Sequence, residues 1–333
     1  MSAELSHSHP TSPLTAADID EAAQRISGVV LRSPLQYSER LSEATGATIY
    51  LKREDLQAVR SYKLRGAHNL LMQLSDEEIA AGVVCSSAGN HAQGFAMACR
   101  SMGIHGRVYV PAKTPKQKRD RIRYHGREFI ELIATGKTYD EAAAAALDDV
   151  ARTGATLVPP YDDLRTMAGQ GTIAAEILDA WPECDAIVVP IGGGGLIAGI
   201  GLWAKSVRPE LRLVGVQPSA SPPMYGFLQT GSTKPMPIAP TLADGVAGNI
   251  ERGSITWTLG KRLIDEVVLV EEDEIAQAMR WTVDEQHLVL EAAAVLGIVA
   301  LAARRGDLEG RRVAVVCTGR NVDGATLRSV LGS

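Results

Sequence analysis

The chain runs to 333 residues, 45% hydrophobic and 22% charged, which supplies a large core and excludes a disordered or low-complexity protein. Its 34 Lys and Arg against 39 Asp and Glu leave a net charge of −5, without the basic footprint that draws a protein to nucleic acid. Four cysteines, at 85, 99, 184 and 317, form no C-x-x-C pair, and no His/Cys pair has ligand spacing; this argues against zinc and a disulfide framework and for a reducing compartment.

The opening MSAELSHSHPTSP has neither a basic nor an apolar signal region, so it reads as a mobile tail and a cytoplasmic protein is expected. From about residue 48, short apolar runs alternate with longer amphipathic ones. TIYLK precedes a helix near 65–75, GVVCS precedes HAQGFAMACRSMG, GRVYVP precedes a basic helix, and REFIELI precedes TYDEAAAAALDDVA. The pattern resumes at DAIVVPI, RLVGVQP, DEVVLV and RRVAVVC. Strands alternating with helices predict an α/β fold with parallel sheets covered by helices on both faces. There are too many units for one small sheet, so the reading is two domains: 1–49 with 154–333 as the larger, 50–153 as the smaller.

The basic run KTPKQKRDRIRYHGR, residues 113–127, reads as a solvated helix face, with steering of an anionic substrate as its other use. Ala186 to Ala204 holds 19 residues without a charge, but Pro190 and four consecutive glycines break it, so no membrane span is expected. Residues 218–249, rich in Pro, Ser and Gly, read as a long irregular excursion of a kind that is often functional.

Three segments carry candidate chemistry. DAIVVPI runs into Gly192, Gly193, Gly194 and Gly195 and then a helix starting near Leu196, a strand-loop-helix that cradles an anion on backbone N–H groups and a helix dipole. The same glycines formally fit a dinucleotide fingerprint, but the next strand ends in Gln217 where an acid would hold the ribose. In SYKLRGA, Ser61 is placed to cap a helix start and Lys63 to face a bound group, where shelter from water lowers its pKa as Schiff-base chemistry requires; otherwise Lys63 is a solvated charge. In CSSAGNHAQG, Ser86, Ser87 and Asn90 open a helix and offer a seat for a carboxylate, or simple N-caps, and His91 is a structural histidine or an acid/base.

Taken in order, LKREDLQAVRSYKLRGA, SSAGNHAQG, TPKQK, PIGGGGLIAG, TLADG and CTGRNVD make the chain resemble the serine/threonine dehydratases of the fold-type II pyridoxal-phosphate enzymes, from about residue 15 onward. The resemblance implies a tryptophan-synthase-β-like fold with a large cofactor-binding domain and a small mobile one, pyridoxal 5'-phosphate as cofactor, an amino-acid substrate, and a homodimer or homotetramer. It implies that Lys63 forms the internal Schiff base, that Gly192, Gly193, Gly194, Gly195 and Leu196 bind the cofactor phosphate, that Asn90 bonds the ring hydroxyl, and that Cys317 faces the pyridine nitrogen. Ser86, Ser87, Gly89, Asn90, His91 and Gly245 are the implied substrate contacts. A neutral thiol at Cys317 cannot hold the nitrogen protonated, so rapid loss of a β-hydroxyl suits the ring better than transamination or racemisation.

Some positions depart from relatives. Ala88 stands where serine racemases have a second serine, which argues against racemisation. Gln217 and Pro223 stand where many relatives have metal-holding acids, so no metal is expected. The chain stops at Ser333 without the isoleucine-sensing regulatory domain of biosynthetic relatives, so inhibition by isoleucine is not expected. Glu291 either lies near the ring, as in relatives, or ends a core-facing helix. The activity implied is conversion of L-threonine to 2-oxobutanoate and ammonia, with serine as a further substrate. The alternatives are a lyase for another β-hydroxy amino acid, such as 3-hydroxyaspartate or a compatible-solute intermediate, and a non-catalytic phosphate-ligand sensor.

Overall fold

The computed structural model describes residues 13–303 and 309–332; the expected N-terminal tail lies almost wholly outside them. Among the described residues ten strands alternate with helices: β1 Leu35–Tyr37, β2 Thr48–Arg53, β3 Val83–Ser86, β4 Gly106–Val110, β5 Ile130–Ala134, β6 Thr156–Leu157, β7 Ala186–Pro190, β8 Arg212–Pro218, β9 Glu266–Val270 and β10 Arg312–Cys317. They form two sheets, one of six strands in the order β1-β2-β10-β7-β8-β9 and one of four in the order β5-β4-β3-β6. Every pairing is parallel except β1 with β2, an antiparallel edge that three residues of weak pattern did not announce.

Burial explains the parallel sheets. Along β7, Ile187 and Val189 pack with the helices Ala16–Arg25, Leu164–Ala180 and Gly195–Val207, while Ala186 and Val188 face the helix Ala292–Ala303 on the other side. β10 repeats this, Ala314 and Val316 on the first face and Val313, Val315 and Cys317 on the second. Side chains alternate between two apolar layers, so the strands read as continuous Val/Ile runs without polar positions. In the smaller sheet Val83 and Cys85 join one cluster and Val84 another.

Three expectations need correction. The boundary at 49/50 cuts through β2, all six residues of which pair with β10 in the larger sheet. The boundary at 153/154 precedes β6, which pairs with β3 in the smaller sheet. Each edge shifts toward the C-terminus because strand pairing, not local composition, decides which sheet a segment joins. The excursion 218–249 is not wholly irregular: it contains the helix Pro223–Thr230, with Pro223 in its first turn, and a 3-10 turn at Asp244–Val246. Pro tolerates that place because its missing N–H would have had no helical partner.

Candidate active site

The site lies at the carboxyl ends of the strands, where an open parallel sheet leaves its crevice. β2 leads through the 3-10 turn Glu54–Leu56 into the helix Lys63–Leu71, whose first residue is the lysine. Ser61 does not cap that helix. The N-cap is Tyr62 without a side-chain bond; Ser61 instead bridges Gly319, and its buried hydroxyl has no partner. The lysine's peptide is closely covered, since a Cβ on Gly94 would lie 2.9 Å from the Lys63 carbonyl carbon. Only glycine lets the helix Asn90–Met102 approach so near.

Lys63 Nζ donates to the Pro160 carbonyl at 2.8 Å and sits 5.2 Å from the Tyr62 ring centroid. Burial pulls its pKa down to about 8, against the opposing attraction of the Glu291 carboxylate. The amine is thus partly neutral near physiological pH, as a nucleophilic lysine must be.

β7 ends at Pro190 and the glycine loop follows. Gly194 has φ +88° and is the N-cap of the helix that starts at Gly195, one residue before the expected start. The loop is tightly enclosed: a Cβ on Gly193 would lie 2.3 Å from the Tyr161 ring, one on Gly195 2.7 Å from the Tyr161 carbonyl oxygen, and one on Gly194 2.9 Å from Thr256 Cβ. Leu196 is buried in the first turn. The first N–H groups of such a helix have no partner within it and present a positive end to the crevice.

Gly89 is the N-cap of the helix that Asn90 opens, and its N–H donates to Ser87 Oγ at 3.2 Å. Asn90 is held from two sides. Its Nδ2 donates to Glu291 Oε1 at 2.7 Å, and its Oδ1 accepts from Asn321 Nδ2 at 2.7 Å. One N–H of the carboxamide remains for a ligand. Asn321 N donates to Glu291 Oε2 at 3.0 Å, and Gly245 stands opposite, where a Cβ would lie 4.0 Å from Glu291 Oε1. Burial raises the Glu291 pKa to about 7, against the bonds from Asn321 and Asn90. Glu291 is therefore a group of the crevice, and the alternative of a core-facing helix end falls.

His91 contributes differently from the acid/base reading. Its Nε2–H donates to the Val158 carbonyl at 2.8 Å, and burial followed by the Lys63 charge drives its pKa to about 3, so the ring is neutral. Cys317 ends β10 beside the Arg53–Asp55 fork; burial pushes its thiol up to about 12. Gln217 is buried, donating to the Ile191 carbonyl and accepting from Tyr225 N, which makes it a brace between loops. Sequence reasoning missed Pro160, Tyr161 and Asn321. Asn321 stood within CTGRNVD and offered a signal; PPYDD offered none, because its role depends on two loops it meets only in the fold.

The sequence profile of the family described as pyridoxal-phosphate dependent enzyme matches residues 26–319. The chain belongs to that family. A relative from Mycobacterium tuberculosis named L-threonine dehydratase biosynthetic IlvA is 55% identical over 338 residues, covering 99% of this chain and 78% of the relative. Among solved structures, the processed form of threonine deaminase isoform 2 from Solanum lycopersicum superposes with a TM-score of 0.87 at 33% identity, covering 96% and 90% of the two chains. Maize serine racemase superposes with a TM-score of 0.89 at 29% identity, covering 96% and 98%.

The residues present fit the family's cofactor. Four buried polar atoms of this region lack any partner: Ser61 Oγ, Ser86 Oγ, His91 Nδ1 and Thr318 Oγ1. An orphaned polar group is costly in a dry crevice, so these four, at the carboxyl ends of β3 and β10 and at the starts of the helices that carry Lys63 and Asn90, suit a polar ligand that would satisfy them. The enclosed glycine loop suits the ligand's phosphate and the lysine its aldehyde. No helix among the described residues is long and apolar enough to cross a membrane.

Proposed function

We propose that this chain is a pyridoxal-phosphate-dependent L-threonine dehydratase, an ammonia-lyase that converts L-threonine to 2-oxobutanoate and ammonia. The observation that carries the reading is Lys63: a sheltered amine with a pKa of about 8, under the charge of Glu291 and bonded to Pro160, whose neighbour Tyr161 encloses the glycine loop. The 55% identity to a threonine dehydratase across nearly the whole chain supports the substrate.

Bound pyridoxal phosphate supplies an aldehyde that captures an amine and an electron-withdrawing ring that acidifies the substrate Cα–H. In our reading Lys63 holds the cofactor, Gly192 to Gly195 and Leu196 bind its phosphate, and the free N–H of Asn90 meets the ring hydroxyl. Cys317 would stand toward the ring nitrogen, and as a neutral thiol it could not protonate it. The substrate carboxylate sits on the turn formed by Ser86, Ser87, Gly89, Asn90 and His91, at the positive end of a helix, with Gly245 closing the far side. Once the substrate amine has taken its place on the cofactor, the freed Lys63 Nζ would take the Cα proton, and the carbonyl of Pro160 would hold the resulting ammonium in place. As the Cα–H pair becomes the Cα=Cβ bond, the β-hydroxyl would depart as water with a proton that balances the one Lys63 has taken, and the enamine released would tautomerise and take up water to give 2-oxobutanoate and ammonia. The four cysteines are buried and free, which suits the cytoplasm, where we place the enzyme as a homodimer or homotetramer.

A panel of L-threonine, L-serine and L-3-hydroxyaspartate with detection of the 2-oxo acid tests this, alongside the visible spectrum. We expect 2-oxobutanoate from threonine and a visible absorption band that Lys63→Ala abolishes. Turnover of 3-hydroxyaspartate without turnover of threonine would overturn the substrate; a band unchanged in Lys63→Ala would overturn the lysine.

A further inference from the structure

Two residues after Lys63, the same helix buries an arginine in a cluster of charges that the reaction does not use. Arg65 has no solvent exposure, and neither has Glu54. Its guanidinium forks onto both oxygens of Glu54 at 2.8 Å each, and onto both oxygens of Glu176 at 2.7 and 2.9 Å. Thr172 Oγ1 takes a further bond at 2.9 Å. Lys52 Nζ reaches Glu176 Oε2 at 2.5 Å and the Ser33 carbonyl at 2.6 Å, and Ser33 Oγ donates to Glu54 Oε1 at 2.5 Å. Two cations face two anions, so the cluster is neutral and saturated with hydrogen bonds.

Such a cluster is a poor source of stability, because apolar residues of the same volume often do as well. It does fix direction. A guanidinium forked between two carboxylates is held in one plane, and here the carboxylates come from separate elements: Glu54 from the turn after β2, Glu176 from the helix Leu164–Ala180. Residues i and i+2 on a helix point to different sides, so Arg65 faces this anchor while Lys63 faces the crevice. Glycines close the clamp: a Cβ on Gly66 would lie 2.7 Å from the Thr166 carbonyl oxygen, and one on Gly169 2.6 Å from that of Arg65.

We propose that Arg65 is a positioning residue for Lys63. Held by Glu54 and Glu176, it sets the rotation and register of the first helical turn, and through them the place of Lys63 Nζ. The proposal rests on the reading of Lys63 as the reacting amine. Lys63→Ala separates the two: a visible band that survives this substitution defeats that reading, whereas its loss leaves Arg65 to be tested.

The test uses the cofactor-loaded protein. Arg65→Lys keeps the charge and removes the fork. Glu176→Gln keeps the shape and removes a charge; Glu176 borders a solvent-open cavity of about 500 Å³, so water can meet what the substitution leaves. Thr172→Val removes the bond from Arg65, and the hydroxyl's own bond to the Gly169 carbonyl, without touching a charge, and keeps the experiment decisive if Arg65→Lys does not fold. We expect Glu176→Gln and Arg65→Lys to lower kcat for L-threonine by roughly ten- to a hundredfold, the scale of a displacement of about 1 Å, with KM within about twofold. The pH midpoint of kcat and the position of the visible band should shift as well, and Thr172→Val should show the same pattern more weakly. Variants that melt earlier yet keep kcat within about twofold and an unchanged band would overturn the proposal, leaving the cluster a structural ion pair. So would a loss confined to KM.

Discussion

Lys63 is the place where function and stability should conflict most measurably. Its pKa falls from 10.5 to about 8 on folding, because burial disfavours the ammonium. The folded protein therefore binds this proton more weakly than the unfolded chain does. The resulting destabilisation is present in full below about pH 8, shrinks as pH rises, and vanishes above 10.5. The shift of about 2.5 pH units corresponds, at about 1.36 kcal/mol each, to on the order of 3 kcal/mol at pH 7. Lys63→Met fills a similar linear space without a charge. It forfeits the bond to the Pro160 carbonyl, which offsets about 1 kcal/mol of the gain, so the cofactor-free variant should be more stable than the native chain by roughly 2 kcal/mol at pH 7. At pH 10.5 the advantage should disappear or reverse. Urea unfolding of both cofactor-free proteins at the two pH values measures this directly. A Met variant less stable than the native chain at pH 7, or a difference that ignores pH, would refute the account of Lys63 as a strained, sheltered amine.

Other substitutions probe the remaining parts of the site. Gly194→Ala forces a φ of +88° on a residue with a Cβ and drives that Cβ to 2.9 Å from Thr256, so titration of the visible band should show cofactor affinity reduced by roughly tenfold or more. Burial of all four cysteines, with the thiols of Cys184 and Cys317 raised to about 11 and about 12, predicts that iodoacetamide labels none in the folded protein at pH 8 and all four after unfolding; mass spectrometry reads the count. Glu291 has its pKa raised from 4.5 to about 7, so its carboxylate weighs against folding fully above about pH 7 and not at all below 4.5. Glu291→Gln should therefore stabilise the cofactor-free protein at pH 8 but not at pH 4, as thermal melting will show. Removing that anion should also lower the Lys63 pKa further, seen as a shift to lower pH in the rate at which pyridoxal phosphate recombines with the cofactor-free protein.

Much of the architecture was legible because two physical signals agree. Apolar runs such as DAIVVPI and RRVAVVC cannot expose either face, so they demand a parallel sheet with helices on both sides, and β7 and β10 pair in parallel as that requires. The strand, loop and helix around the glycines were legible because four consecutive glycines interrupt an otherwise uncharged apolar run. β1 and β6 were not, since three and two residues carry no period, and they join their sheets only because longer strands offer them an edge. The domain edges failed because the partner of β2 in the larger sheet and that of β6 in the smaller one are set by pairing across the fold, not by local composition.

What sequence could not supply is the environment that makes Lys63 reactive. Its hydrogen-bond partner is a backbone carbonyl 97 positions away, and the carboxylate that opposes its desolvation is Glu291. Asn90, picked out as a helix opener, is oriented by Glu291 and by Asn321, 231 positions further on. No local pattern links these residues, because each sits on a different element and only the closing of β10 against β2 brings residues 317–321 beside residues 59–63. The same closing lets the Tyr62 amide donate to the Thr318 carbonyl at 3.1 Å, and the buried hydroxyls of Ser61 and Thr318 are both without a partner. A lysine of ordinary appearance in the sequence thus becomes an amine of lowered pKa through the topology of the sheet, and its neighbours tune a property that the motif around it only permits.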